Sequence, residues 1–123
     1  MITSVASAIL YVSDQAAALE FYRDVLGFDV VMDAEMDEAS RWLEVKPSGA
    51  QTSIVLASAE GFGRRPGDGA FLTFAADDVA ATVEQLRARG ARTSDVIREP
   101  WGTYATVDAP DGHKLQFNER PQN

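Results

Sequence analysis

Apolar positions along this chain fall into two patterns, and the patterns alternate. Residues 4–12, SVASAILYV, are apolar and β-branched enough to form a strand. Behind them Ala18, Phe21, Tyr22, Val25 and Leu26 follow the i, i+3, i+4, i+7, i+8 spacing, which lays one stripe along a helix of about three turns. Ser13-Asp14 precedes the stripe and supplies an N-cap, since a short oxygen-bearing side chain accepts from the free amides of a first helical turn. Gly27 closes the helix as a left-handed C-cap. Three short strands follow, over 29–36, 41–46 and 52–57, separated by turns at Asp37-Glu38 and Pro47-Ser48-Gly49.

The same order then recurs. Residues 70–75, AFLTFA, predict a strand, Asp77-Asp78 a cap, Val79, Val83 and Leu86 a stripe, and Gly90 a stop. From Asp14 to Gly27 is 13 residues, and from Asp77 to Gly90 is 13 again. Three further strands are expected over 92–97, 104–107 and 114–118, with turns at Pro100-Trp101-Gly102 and Asp108-Ala109-Pro110-Asp111-Gly112. Asp111-Gly112 between two alternating runs is a strong hairpin signal. Strand, acidic cap, helix and glycine in one order twice argue for duplication. The fold class expected is α+β, a single domain over 1–123 made of two βαβββ modules. Module one covers about 4–58, a linker about 59–69, and module two about 70–119. Residues 60–69, EGFGRRPGDG, hold four glycines and a proline and are expected to be mobile enough for a lid or linker. A half-sheet of four strands leaves edges and an open face, so pairing of modules, within or between chains, is expected.

Composition narrows the function. With 123 residues, 46% of them apolar, the chain suits one globular domain. It has no cysteine, which removes disulfides, thiolate nucleophiles and Cys-ligated zinc together and fits a reducing cytoplasm. No apolar run is long enough to span a bilayer, and no secretory signal is visible at the N-terminus. The net charge of −8 repels phosphate backbones, and Arg64-Arg65 is the only tight basic pair, so no nucleic acid and no membrane partner are expected. The plain reading of that charge is solubility; the sharper one is attraction of cationic small molecules.

Three stretches carry a family resemblance: LYVSDQAAALEFYRDVLGF at 10–28, TFAADDVAATVEQLRARG at 73–90 and WGTYATVDAPDGHKLQF at 101–117. Together they resemble the vicinal-oxygen-chelate superfamily, which includes glyoxalase I, extradiol dioxygenases and bleomycin-resistance proteins. The chain departs from the usual closing Asp-Pro-Asp-Gly-Asn hairpin by an insertion, Asp108-Ala109-Pro110, and by His113 in place of Asn. The resemblance implies two βαβββ modules whose curved mixed sheets form a cup, often completed across a homodimer.

In metal-using members the ligands stand on the first and last strand of each module. The matching positions here are Ser7, Val55, Phe71 and Gln116. A divalent transition ion needs three or four imidazole or carboxylate donors, and a hydroxyl, an amide and two hydrocarbons do not supply them. No metal and no cofactor are therefore expected. The one histidine, His113, follows Asp111-Gly112 and is expected at the surface as a turn residue. No Gly-Xaa-Ser-Xaa-Gly elbow or phosphate loop is present. Glu44 and Asp108 would serve as bases only if desolvated.

Alternation predicts what lines the cup. Leu115 and Phe117 share one face of the last strand, opposite Lys114, Gln116 and Asn118. The same period places Ser7 with Ile9 and Tyr11, Phe71 with Thr73, Trp42 with Glu44, and Tyr104 with Thr106. The candidate ligand-binding residues are Ser7, Trp42, Glu44, Phe71, Trp101, Tyr104 and Gln116, with Phe62 nearby; no catalytic residue is assigned. Rings with sparse polar anchors make a small-molecule pocket, although the same rings would also fill a sheet interface or dimer contact. Trp101 is singled out because it precedes Gly102 at the rim, where the resemblance implies a stacking tryptophan for flat antibiotics. The expected function is metal-independent binding of a partly aromatic small molecule, of the sequestering, resistance type, by a cytoplasmic homodimer. The alternatives are a glyoxalase-like lyase, isomerase or dioxygenase, and an accessory module with a collapsed cup.

Overall fold

Two aspartates set where the helices begin. In the computed structural model, which describes residues 1–37 and 40–119, the Asp14 carboxylate accepts from the amide of Ala17 and that of Asp78 from the amide of Ala81, each at 3.0 Å. They open α1 (Gln15–Glu20) and α2 (Val79–Ala88). Helix α1 runs into a wider π-helical turn, Phe21–Val25, where Tyr22 is buried edge-on to Phe21 and tilted against Phe28. The expected stripe is therefore not one regular helix: Ala18 and Tyr22 are buried, whereas Phe21, Val25 and Leu26 are only partly covered. Gly27 and Gly90 end the two helices with φ of 76° and 87°.

The first sheet contains β1 (Ser7–Val12), β2 (Asp29–Glu35), β3 (Arg41–Lys46) and β4 (Ser53–Ser58) in the order β1-β4-β3-β2. The second contains β5 (Leu72–Ala75), β6 (Ile97–Glu99), β7 (Gly102–Asp108) and β8 (Lys114–Glu119) in the order β5-β8-β7-β6. In each, the first strand lies parallel to the last, and the other neighbours are antiparallel. The matching orders are the duplication seen in space. The architecture is α+β with two open four-stranded mixed sheets, and the chain divides into two compact units between Ala70 and Phe71.

Each sheet buries one face under its own helix. In unit one, Leu10, Val12, Leu43, Val45, Ile54 and Leu56 are buried on the side where α1 supplies Ala18 and Tyr22. Gln15 locks the helix start to the sheet: its amide nitrogen donates to the carbonyls of Arg41 and Leu56 at 2.7 and 2.8 Å, and its oxygen accepts from the Arg41 amide at 3.1 Å. In unit two, Ala105, Val107, Leu115 and Phe117 are buried together with Val79, Val83 and Leu86 of α2.

Several expectations need correction. The segment after β4 is not a free lid. It forms a strap along the outer edge of β1: Tyr11 donates to the Asp68 carbonyl, Gly67 to the Tyr11 carbonyl, both at 2.9 Å, and Ala70 to the Ile9 carbonyl at 3.3 Å. Its glycines permit close backbone approach rather than motion, and the strap covers an edge that would otherwise be open. Ala70 belongs to it, so β5 begins at Leu72. In unit two, β6 begins at Ile97 rather than Arg92, although Arg92 and Ser94 still exchange backbone hydrogen bonds with Asp108 and Thr106 at 2.9 Å. His113 is not a surface residue but 7% exposed. Its carbonyl accepts from the Ala109 amide at 2.8 Å, so the turn with Asp111 and Gly112 at positive φ folds it inward. Of the turn expected at Asp37-Glu38, Glu38 lies outside the described residues.

Candidate ligand-binding faces

The helix-free face of each sheet carries the candidate residues. In unit one, Ser7 pairs with Ser53, Ile9 with Val55 and Tyr11 with Ala57. Glu44 pairs with Val55 on one side and Met32 on the other, and Ala34 pairs with Trp42. Directly paired residues project to the same side, so Ser7, Ile9, Tyr11, Trp42, Glu44, Ser53 and Val55 share one surface. At the end of β1, Phe62 meets the Tyr11 ring edge-on and the Arg64 guanidinium lies 5.4 Å from its centre.

The polar centre of that surface is Glu44. Trp42 Nε1 donates to one carboxylate oxygen and Ser53 Oγ to the other, both at 2.6 Å. These two hydrogen bonds, that of Ser53 foremost, hold its carboxyl below the usual carboxylate range and outweigh the opposing effect of burial. The desolvated base considered from sequence is thus replaced by a stabilised anion, a poor proton acceptor. Asp108 is likewise no base in a pocket: it is an exposed partner of Lys114 at 2.7 Å.

In unit two, Gln116 pairs with Thr73 and Thr106, and Asn118 with Ala75 and Tyr104. The Gln116 amide nitrogen donates to Asn118 Oδ1 at 3.0 Å. Trp101 stacks on Tyr104 with ring centres 5.2 Å apart and planes 16° from parallel, yet remains 57% exposed. A hollow of about 460 Å³ lies beside it, lined by Thr73, Ala75, Asn118 and Glu119 among others. Phe71 stands ahead of β5 and is 66% exposed.

The structure therefore brings Ser7, Trp42 and Glu44 onto one face and Trp101, Tyr104 and Gln116 onto another. Sequence reasoning missed Ser53, although its parity with Val55 in the same strand was available, and it missed Asn118 as the partner of Gln116. Ser7, Val55, Phe71 and Gln116, the positions that the resemblance marks for a metal, are not cross-strand partners of one another. Val55 lies opposite Ile9, two residues beyond Ser7, and Gln116 lies opposite Thr73, two residues beyond Phe71. Their chemistry does not fit a catalytic divalent ion, since only one hydroxyl and one amide are present. Among the described residues no group of three or more His, Asp or Glu is arranged to hold a metal.

Known proteins share this fold. A family model for the Glyoxalase/Bleomycin resistance protein/Dioxygenase superfamily matches residues 4–117. The chain is similar to TnmS3, an antibiotic binding protein from Streptomyces sp. CB03234, with 35% identity over 98% of each chain and a TM-score of 0.86. It is also similar to a superfamily member from Sphaerobacter thermophilus DSM 20745, with 32% identity, 97% of this chain and 98% of that one covered, and a TM-score of 0.87. A lactoylglutathione lyase of Haemophilus influenzae is 28% identical over 119 residues, covering 90% of this chain and 88% of the relative.

Proposed function

This chain belongs to the Glyoxalase/Bleomycin resistance protein/Dioxygenase superfamily, and from that premise we propose that it binds a partly aromatic small molecule without a metal ion, as a sequestering protein. The observation that carries this reading is Trp101. One face of its indole rests on Tyr104, while more than half of the side chain remains open beside the hollow of unit two. A pre-stacked ring loses little conformational freedom when a second flat ring is laid on it. The antibiotic-binding relative at 35% identity supports the same class of ligand. Tyr104 and Gln116, on the same unit, supply a further ring and a polar anchor. Ser7 and Phe71 line the positions where a metal-using relative would place donors.

Acid/base catalysis is the weaker reading, because the Glu44 carboxylate is held ionised by its two donors. The chain is further proposed to act as a cytoplasmic homodimer. Its lack of cysteine supports the reducing compartment, and the apolar side chains of Val30, Val31 and Met32 along the exposed edge strand β2 support a second copy. No helix among the described residues is long and apolar enough to cross a membrane.

The test is a melting-shift screen of planar polycyclic antibiotics, followed by titration of the hits into wild type and Trp101→Ala. A lost stacking partner, worth about 1 kcal/mol beyond its area, weakens binding by about tenfold once burial is added, with the fold intact. Hits whose affinity does not change in Trp101→Ala remove that residue from the pocket, and a screen without shifts favours a collapsed module. Elemental analysis of the same preparation decides on metal: stoichiometric Ni, Zn, Fe or Mn would replace sequestration by metal-dependent catalysis.

A further inference from the structure

The side-chain amide of Asn118 is oriented by its neighbour on the same strand. Gln116 Nε2 donates to Asn118 Oδ1 at 3.0 Å, so the carbonyl end of Asn118 is turned along β8 towards Gln116. The two amides form a short polar chain with a direction. An acceptor, Gln116 Oε1, stands at one end, and a donor, Asn118 Nδ2 with its two hydrogens, at the other. Among the described residues neither end has a further hydrogen-bond partner. The end that meets the hollow of unit two is the donor: Asn118 lines that space with Trp101, Thr73, Ala75 and Glu119, whereas Gln116 stands outside the lining.

Strand register explains the placement. Asn118 lies opposite Ala75 on one side and Tyr104 on the other. Across this row the surface drops from the stacked rings of Trp101 and Tyr104 to the methyl group of Ala75, and the Asn118 amide stands at the step. The backbone that carries it is pinned, since the Asn118 carbonyl accepts from the Ala76 amide at 2.8 Å. The neighbouring Glu119 carboxylate accepts from the Val79 amide at 2.9 Å through one oxygen. Its negative charge in the same lining favours amide hydrogens over an amide oxygen turned to the hollow, so electrostatics agree with the direction that Gln116 sets. The same carboxylate, in a protein of net charge −8, disfavours an anionic ligand.

We propose that Asn118 determines specificity in the hollow of unit two by donating its amide hydrogens to a neutral acceptor, a carbonyl oxygen or ring nitrogen, at the edge of a flat ring stacked on Trp101. The proposal rests on the small-molecule-binding reading above and narrows the ligand class to uncharged aromatic rings with an acceptor at the rim. Gln116 is a positioning residue: it fixes which end of the Asn118 amide meets the ligand.

The experiment uses three uncharged probes built on one tricyclic frame: fluorenone, which carries a carbonyl, carbazole, which carries an N–H, and fluorene, which carries neither. Their binding to wild type, Asn118→Leu, Gln116→Glu and Trp101→Ala is measured by equilibrium dialysis, with circular dichroism to confirm the folds. Leucine keeps the approximate size of the asparagine side chain and removes its donor and acceptor together. The affinity ratio of fluorenone to fluorene is expected to fall about fivefold from wild type to Asn118→Leu, the net effect of one hydrogen bond. Gln116→Glu cannot donate to Asn118 Oδ1 and accepts from Asn118 Nδ2 instead, so the amide turns its oxygen to the hollow and the preference passes from fluorenone to carbazole. A merely structural role for either residue would weaken the three probes alike, and that result overturns the inference. So does a fluorenone-to-fluorene ratio that is the same in wild type and Asn118→Leu. If the ratio is unchanged but Trp101→Ala still weakens all three probes about tenfold, the binding reading stands and only this inference falls. If no probe binds wild type, both fall together.

Discussion

Adding one methyl group at Gly69 tests whether the segment joining the two modules is a strap or a free linker. A Cβ there would lie 2.5 Å from the Ile9 carbonyl oxygen and 3.0 Å from the Leu10 Cα. Both are backbone atoms of β1 and cannot swing aside as a side-chain tip would. The φ of 126° is itself outside the range an alanine tolerates. Gly69→Ala therefore has to peel the strap from β1. That forfeits the two hydrogen bonds with Tyr11 at 2.9 Å and the one from Ala70 to Ile9 at 3.3 Å. At about 0.5–1.5 kcal/mol each, the loss is about 2–4 kcal/mol. Gly90→Ala is the control, because φ is 87° there but nothing stands within 4 Å of the added carbon; only the backbone penalty of about 1–2 kcal/mol applies. Urea denaturation measures the difference, and hydrogen exchange at the amides of Tyr11 and Gly67 locates it. If Gly69→Ala costs no more than Gly90→Ala, and the Tyr11 amide stays protected, the strap does not bind β1 as described.

The helix caps and the partly covered Glu44 carboxylate make their own predictions. Asp78→Ala removes the acceptor for the Ala81 amide, and Asp14→Ala that for Ala17; each is expected to cost about 1 kcal/mol in denaturant unfolding, and a cost near zero would mean that other groups satisfy those amides. Because the folded-state pKa of Glu44 is lowered, its ionised form contributes stability that is fully present above the unfolded carboxylate range and is lost as pH falls through the folded value. The stability gap between wild type and Glu44→Gln should hold at neutral pH and close below about pH 4; a gap that widens in acid contradicts the direction of the shift.

How much of this was legible in the sequence depended on distance along the chain. The caps at Asp14 and Asp78 are local, and their acceptors lie within one turn, so spacing alone located both helices. Strand alternation is local too: Gln116 and Asn118 oppose Leu115 and Phe117 in the structure as the period of two requires. The strap was misread because glycine has two meanings, freedom of motion and closeness of approach, and only the position of β1 chooses between them. His113 was misread for a related reason, since a turn with two residues at positive φ reverses the chain tightly enough to fold the next side chain inward.

Glu44 shows where local reading stops and what lies past it. Parity placed it beside Trp42 on the correct face, but its chemical character comes from Ser53, nine residues away and on the next strand. Without the serine, the Trp42 hydrogen bond would still outweigh burial, so the carboxyl would be lowered less but not raised. With the serine and the indole both donating at 2.6 Å, the anion is favoured and proton uptake is disfavoured. Two donors, one from its own strand and one from the next, thus make the residue a fixed anion rather than a candidate for proton transfer. The carboxylate is held in one place on the helix-free face of unit one by Trp42 of its own strand and Ser53 of β4, a pairing that only the register of β3 against β4 brings about.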